Sequence, residues 1–173
     1  CSLDEMSAEC HKIGQTAFFQ LYVNSNRTVC EDIVRSAEAA GCKALFITVD
    51  APQLGRRERD MRNKASTAST STSAQKKAGV DIKKDQGTSA ALTSFIDPSL
   101  CWDDIAWFKS ITTMDIMLKG VQTADDVVLA KQAGVKGVVL SNHGGRQLDF
   151  GMHFRRQSPA CLYCRFVVWT VPC

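Results

Sequence analysis

Four short apolar runs, each followed by a helix signal or a polar strand end, constrain this chain most. Residues 17–23 (Ala-Phe-Phe-Gln-Leu-Tyr-Val) and 43–49 (Lys-Ala-Leu-Phe-Ile-Thr-Val) are aromatic and β-branched, the mark of buried strands. Residues 115–119 (Asp-Ile-Met-Leu-Lys) and 136–141 (Lys-Gly-Val-Val-Leu-Ser) read as two more. Between them lie helices. Asn26 or Thr28 caps one through about Ala40, with Val29, Ile33, Val34 and Ala37 on one face and Gly41 to end it. Asp97-Pro98-Ser99 starts another, with Trp102, Ile105, Ala106 and Phe108 on its inner face. Thr123 caps a third, which runs to about Ala133 before Gly134; Asp125 and Asp126 suit its positive end. Strand, helix and strand thus recur every roughly 25 residues, with strands that are apolar throughout rather than alternating. That pattern predicts a parallel sheet covered by helices.

A doubly wound open sheet and an eight-stranded barrel share this grammar. A dinucleotide-binding open sheet carries G-x-G-x-x-G in its first turn, and no such run occurs in the sequence. Polar residues gather instead where each strand ends: Gln20 and Tyr22, Thr48 and Asp50, Lys119, then Ser141, Asn142 and His143. Barrel enzymes assemble their sites at the carboxyl ends of several strands, so placement favours a barrel.

One stretch interrupts the rhythm. Residues 56–94 hold Arg56-Arg57-Glu58-Arg59-Asp60, then Ser, Thr and Ala from Ala65 to Ala74, then Lys76-Lys77. So little apolar surface predicts a mobile insertion, either a solvated spacer or a lid. The net charge of +3 is equally local. Residues 1–149 carry 18 basic and 18 acidic groups, and Arg155, Arg156 and Arg165 supply the whole excess. A nucleic-acid binder shows its basic face on the folded part, so that class loses support. No apolar run approaches the roughly 18 residues of a membrane span. Of the eight cysteines, Cys161 and Cys164 form a single C-x-x-C without the further ligands that a zinc site needs. No metal site is expected, and the thiols are read as reduced.

Ser141-Asn142-His143-Gly144-Gly145-Arg146-Gln147 is the most informative run. A histidine directly after a buried strand is held rigidly yet open to a pocket, which suits a general base near neutral pH. Arg146 offers a planar fork for a carboxylate, and the two glycines permit a sharp turn. By periodicity alone the pair is equally a capping histidine and a surface arginine. Asp50, before Ala51-Pro52, is either a partner for the imidazole or a turn acceptor. Lys119 either balances negative charge on a bound group or extends to water from its strand end.

In this order, Phe19-Gln20-Leu21-Tyr22-Val23, Phe46-Ile47-Thr48-Val49-Asp50-Ala51-Pro52, Phe95-Ile96-Asp97-Pro98-Ser99-Leu100, Lys119-Gly120-Val121 and Leu140 to Asp149 resemble one family. It is that of the FMN-dependent α-hydroxy acid dehydrogenases and oxidases, and the likeness spans about residues 1–150. The double glycine, the Phe95–Leu100 segment and the long loop favour the cytochrome-type L-lactate dehydrogenase, or flavocytochrome, branch. The resemblance implies a partial TIM (β/α)8 barrel of about four βα units, the third to sixth strands, with the 56–94 loop after the second of them. It implies oxidation of a small L-2-hydroxy acid, L-lactate to pyruvate, with electrons passed through FMN. Gln20 and Thr48 look like flavin-ring and ribityl contacts. Lys119 looks like the residue facing the flavin's N1 and C2 carbonyl. Tyr22 resembles the tyrosine near the substrate hydroxyl, His143 the base and Asp50 its partner. Arg146 resembles the arginine that holds the substrate carboxylate, and Arg57 a second arginine at the pocket edge. Cytochrome c as acceptor, a homo-oligomer and a mitochondrial intermembrane-space location follow from the same likeness; haem b belongs only to a separate upstream domain.

The tail, residues 151–173, departs from the family pattern and shows no glycine-rich phosphate motif. It reads as sequence foreign to the family, such as an out-of-frame end on a truncated gene. The isolated 173-residue chain is accordingly expected to bind FMN weakly or not at all. The alternative to an enzyme is a non-catalytic fragment unable to hold the flavin.

Overall fold

The structure is a computed structural model that describes residues 3–52 and 95–141 and the backbone of residues 167–170. The predicted loop at 56–94, with Arg57, and the run from Asn142 through Asp149, with His143 and Arg146, lie outside the described residues, as does the tail apart from that one backbone segment.

Helix α1 (Leu3–Lys12) precedes strand β1 (Phe18–Leu21), helix α2 (Arg27–Ala39) and strand β2 (Ala44–Thr48). After the insertion come α3 (Asp104–Ile111), β3 (Asp115–Val121), α4 (Ala124–Gln132), β4 (Gly137–Leu140) and β5 (Val167–Thr170). All four neighbouring pairs are parallel, and the sheet order is β1-β2-β3-β4-β5. A doubly wound sheet reverses direction at a switch point, whereas a barrel adds each strand beside the last. The sequential order is therefore that of a barrel segment, open because β1 and β5 stand at opposite ends of the sheet.

The two faces of the sheet differ. Leu21, Leu45, Ile47, Ile116, Leu118 and Val138 pack with Ile33, Val34 and Ala37 of α2, Ile105 and Phe108 of α3, and Val127 and Ala130 of α4 in one core. Alternation along each strand puts Phe18, Gln20, Phe46, Thr48, Met117, Lys119 and Val139 on the other face. The Phe18 and Phe46 rings meet there at 5.5 Å. In a closed barrel that face is the interior.

Local chemistry explains most element ends. The Asn26 side chain accepts from the Thr28 and Val29 N–H groups and starts α2; Thr123 accepts from the Asp126 N–H and starts α4. Three features differ from the sequence expectations. Asp97-Pro98-Ser99 is a turn rather than a helix start, because the Asp97 carboxylate accepts from the Ser99 N–H and hydroxyl at 2.9 and 2.6 Å. Helix α3 begins only at Asp104, which leaves Trp102 and Ala106 exposed while Ile105 and Phe108 are buried. Helix α1 and strand β5 are additions to the four predicted strands and three helices. Among the described residues no helix is long and apolar enough to cross a membrane.

Candidate active site

Gln20, Thr48 and Lys119 come from three neighbouring strands and share the face away from the helices. Thr48 lies directly opposite Lys119 in the β2–β3 register. Gln20 Nε2 donates to Thr48 Oγ1 at 3.1 Å across β1 and β2. An amide, a hydroxyl and an ammonium thus form a row at the carboxyl ends of the strands, above the apolar Phe46 and Met117. Such a row suits the polar edge of a flat ring. Tyr22, two residues beyond Gln20, is half-buried just past the end of β1.

Asp50 enters this row from the side. Beyond Thr48 the chain stays tied to β3, because the Val49 N–H donates to the Lys119 carbonyl at 2.9 Å. The Asp50 carboxylate reaches Lys119 Nζ at 3.6 Å, with the Asp50 side chain fully buried and that of Lys119 only 17% exposed. The structure therefore brings together four of the eight residues singled out in the sequence: Gln20, Thr48, Asp50 and Lys119. His143, Arg146 and Arg57 lie outside the described residues, and Tyr22 stands just past the end of β1.

A cavity of about 640 Å³ opens beside this end of the sheet. Thr48, Asp50, Pro52, Gly120, Leu100 and Trp102 are among the residues that line it. Its wall is built by the segment after the insertion, which is stapled to the end of β1. Asn24 and Ile96 form an antiparallel bridge, Ser25 donates to the Phe95 carbonyl, and Asp97 donates to the Val23 carbonyl. Arg27 Nη2 clamps the same segment, at 2.9 Å from Asp97 Oδ2 and 2.8 Å from Asp104 Oδ1. Its guanidinium lies 5.0 Å from the centre of the Trp107 ring. Sequence reasoning passed over Arg27 and Gly120. Arg27 follows a cap residue and carries no motif of its own. Gly120 stands in the quoted Lys119-Gly120-Val121, so its signal was present.

Comparison with known proteins adds the family. The model of the FMN-dependent dehydrogenase family matches residues 1–155. The chain is similar to L-lactate dehydrogenase (cytochrome) of Wickerhamomyces anomalus, 55% identical over 150 residues, covering 87% of this chain and 25% of that protein. It is similar to glycolate oxidase of Spinacia oleracea, 46% identical over 138 residues, covering 77% of this chain and 37% of that one. Among solved structures it resembles the recombinant flavin-binding domain of baker's yeast flavocytochrome b2, with a TM-score of 0.66 and 46% identity over 87% of this chain and 33% of that one. The chain spans about a quarter of the length of the cytochrome-type relative.

Proposed function

The chain belongs to the FMN-dependent dehydrogenase family, and from that premise we propose that it takes part in the oxidation of a small L-2-hydroxy acid, L-lactate to pyruvate. The observation that carries this reading is the row of Gln20, Thr48 and Lys119 on one sheet face, with Asp50 3.6 Å from the lysine. These donors fit an isoalloxazine ring, whose polar edge presents nitrogen and carbonyl acceptors. Lys119 would face N1 and the C2 carbonyl of the bound flavin, and Gln20 and Thr48 would contact the ring and the ribityl chain. When bound, FMN accepts the two electrons of the oxidation.

The remaining roles follow the motif. Arg146 holds the substrate carboxylate with a planar pair of donors, and Arg57 adds charge at the pocket edge. Tyr22 hydrogen-bonds the substrate hydroxyl. His143 takes one of the two protons that lactate loses on becoming pyruvate. Asp50 stabilises the imidazolium that results, and its burial strengthens that effect. Cytochrome c as the final acceptor, and a mitochondrial intermembrane-space location, belong to the same proposal.

The test is anaerobic addition of L-lactate to the chain in saturating FMN. Bleaching of the visible flavin band is expected with L-lactate and not with D-lactate, and is lost in His143→Asn. Chain-bound FMN that stays oxidised in L-lactate overturns the reading.

A further inference from the structure

Among the described residues, four glycines have positive φ, and Gly120 differs from the other three. A Cβ at Gly14 would meet nothing within 4 Å, at Gly134 the nearest atom is the tip of Lys109, and at Gly41 the contact is the His11 ring. At Gly120, with φ +102°, a Cβ would fall 2.4 Å from Asp50 Cβ and Cγ and 2.6 Å from Oδ2. Real side chains do not approach so closely. The Asp50 side chain is fully buried, so it has no solvent to swing into.

Gly120 also breaks the alternation of β3. The β3–β4 register pairs Lys119 with Val139 but Val121 with Leu140, so one extra residue sits on β3. A bulge of this kind re-aims the side chains around it. In an unbroken strand, residues 119 and 121 share a face. Here Val121 joins Ile116 and Leu118 in the helix-side core, while Lys119 keeps the opposite face with Thr48.

We propose that Gly120 is the positioning residue of this site: its bare Cα seats the Asp50 carboxylate, and its bulge holds Lys119 toward that carboxylate. One glycine thereby sets the separation between the group that serves the base and the group that serves the flavin. The inference rests on the proposed function for what Asp50 and Lys119 do, and on geometry alone for where they stand.

The test compares Gly120→Ala with Gly14→Ala, which carries the cost of a positive φ without a collision. Fold is checked by circular dichroism, and acylation of each lysine by an amine-selective ester is timed by peptide mass spectrometry. Lys119 is expected to react several-fold faster in Gly120→Ala, with the other lysines unchanged and Gly14→Ala like the parent. FMN titration followed by fluorescence quenching is expected to weaken several-fold in the same variant. If Gly120→Ala does not fold, adding Asp50→Gly together with Lys119→Met removes the colliding side chain and its counter-ion at once, and is expected to restore folding. Unchanged Lys119 reactivity in a folded Gly120→Ala overturns the inference, as does failure of the paired Asp50→Gly and Lys119→Met substitutions to rescue an unfolded one. Faster acylation with unaltered FMN binding upholds the positioning and instead removes the flavin role proposed for Lys119.

Discussion

Lys119 and Asp50 form a charge pair in which neither side chain is freely solvated. Breaking such a pair from one side costs about 3–5 kcal/mol, whereas replacing both partners by apolar groups is often close to neutral. Lys119 keeps some exposure, so the lower end applies. Lys119→Met is therefore expected to lower the unfolding free energy by about 3 kcal/mol, and Lys119→Met with Asp50→Leu to recover most of the loss. Urea denaturation of the three chains checks this; equal losses in the single and double variants would count against a pair. Both residues were legible in the sequence, because a charged side chain that closes an apolar strand is conspicuous. Their mutual contact was not. It depends on the β2–β3 register and on Gly120, and strand-to-strand alignment is a long-range property that no local run encodes.

Among the elements, α2 and α4 were read correctly from the signals at their ends, whereas Asp97-Pro98-Ser99 was misread as a helix start. Asn26 and Thr123 cap α2 and α4, and Gly41 follows α2 with φ +88°. Helix α1 escaped because it buries only Ser7 fully and sets Leu3 alone, partly buried, against the core. It docks also through the Ser7 hydroxyl, which donates to the Ala40 carbonyl, and through the His11 ring, which lies over Gly41. Two carboxylates join elements in the same way and carry a pH prediction. The Asp97 carboxyl is held below its ordinary range by the Ser99 hydroxyl, then by the Ser99 N–H and the Arg27 charge. Glu38 is held low by the Thr113 hydroxyl and N–H, with help from Thr112 and Arg35, which ties the end of α2 to the start of β3. A folded-state pKa below the unfolded value means that the unfolded chain binds more protons in between. The stabilisation is complete above the ordinary carboxylate pKa of about 4 and is lost as pH falls through the folded values. Asp97→Asn with Glu38→Gln is expected to be less stable than the parent at neutral pH, yet to lose less on acidification below about pH 4. Urea midpoints against pH decide it: parallel acid limbs for the two chains would show that these carboxylates do not carry the effect.

At the scale of the whole molecule, strand spacing left an open sheet and a barrel both compatible, and polar strand ends only tipped the balance. The sequential order β1-β2-β3-β4-β5 decides for a barrel segment. Among the described residues, that order also leaves the two terminal strands with one edge each outside the ladder. An unpaired edge presents backbone donors and acceptors to any other strand, and a lysine on it is a common natural deterrent to such pairing. On β1 the deterrent is missing. Its sequence is Phe-Phe-Gln-Leu, and Phe18 is 48% exposed although its ring also leans on Phe46. Two chains that meet along β1 would satisfy the edge and cover Phe18 at once. The chain is therefore expected to self-associate as its concentration rises. Phe18→Lys should shift sedimentation-velocity profiles toward the monomer without disturbing the β1–β2 pairing, because Phe18 contributes its backbone to that ladder and the lysine ammonium reaches solvent. A parent chain that sediments as a monomer at every concentration, or a Phe18→Lys chain that associates as strongly, would count against pairing along β1.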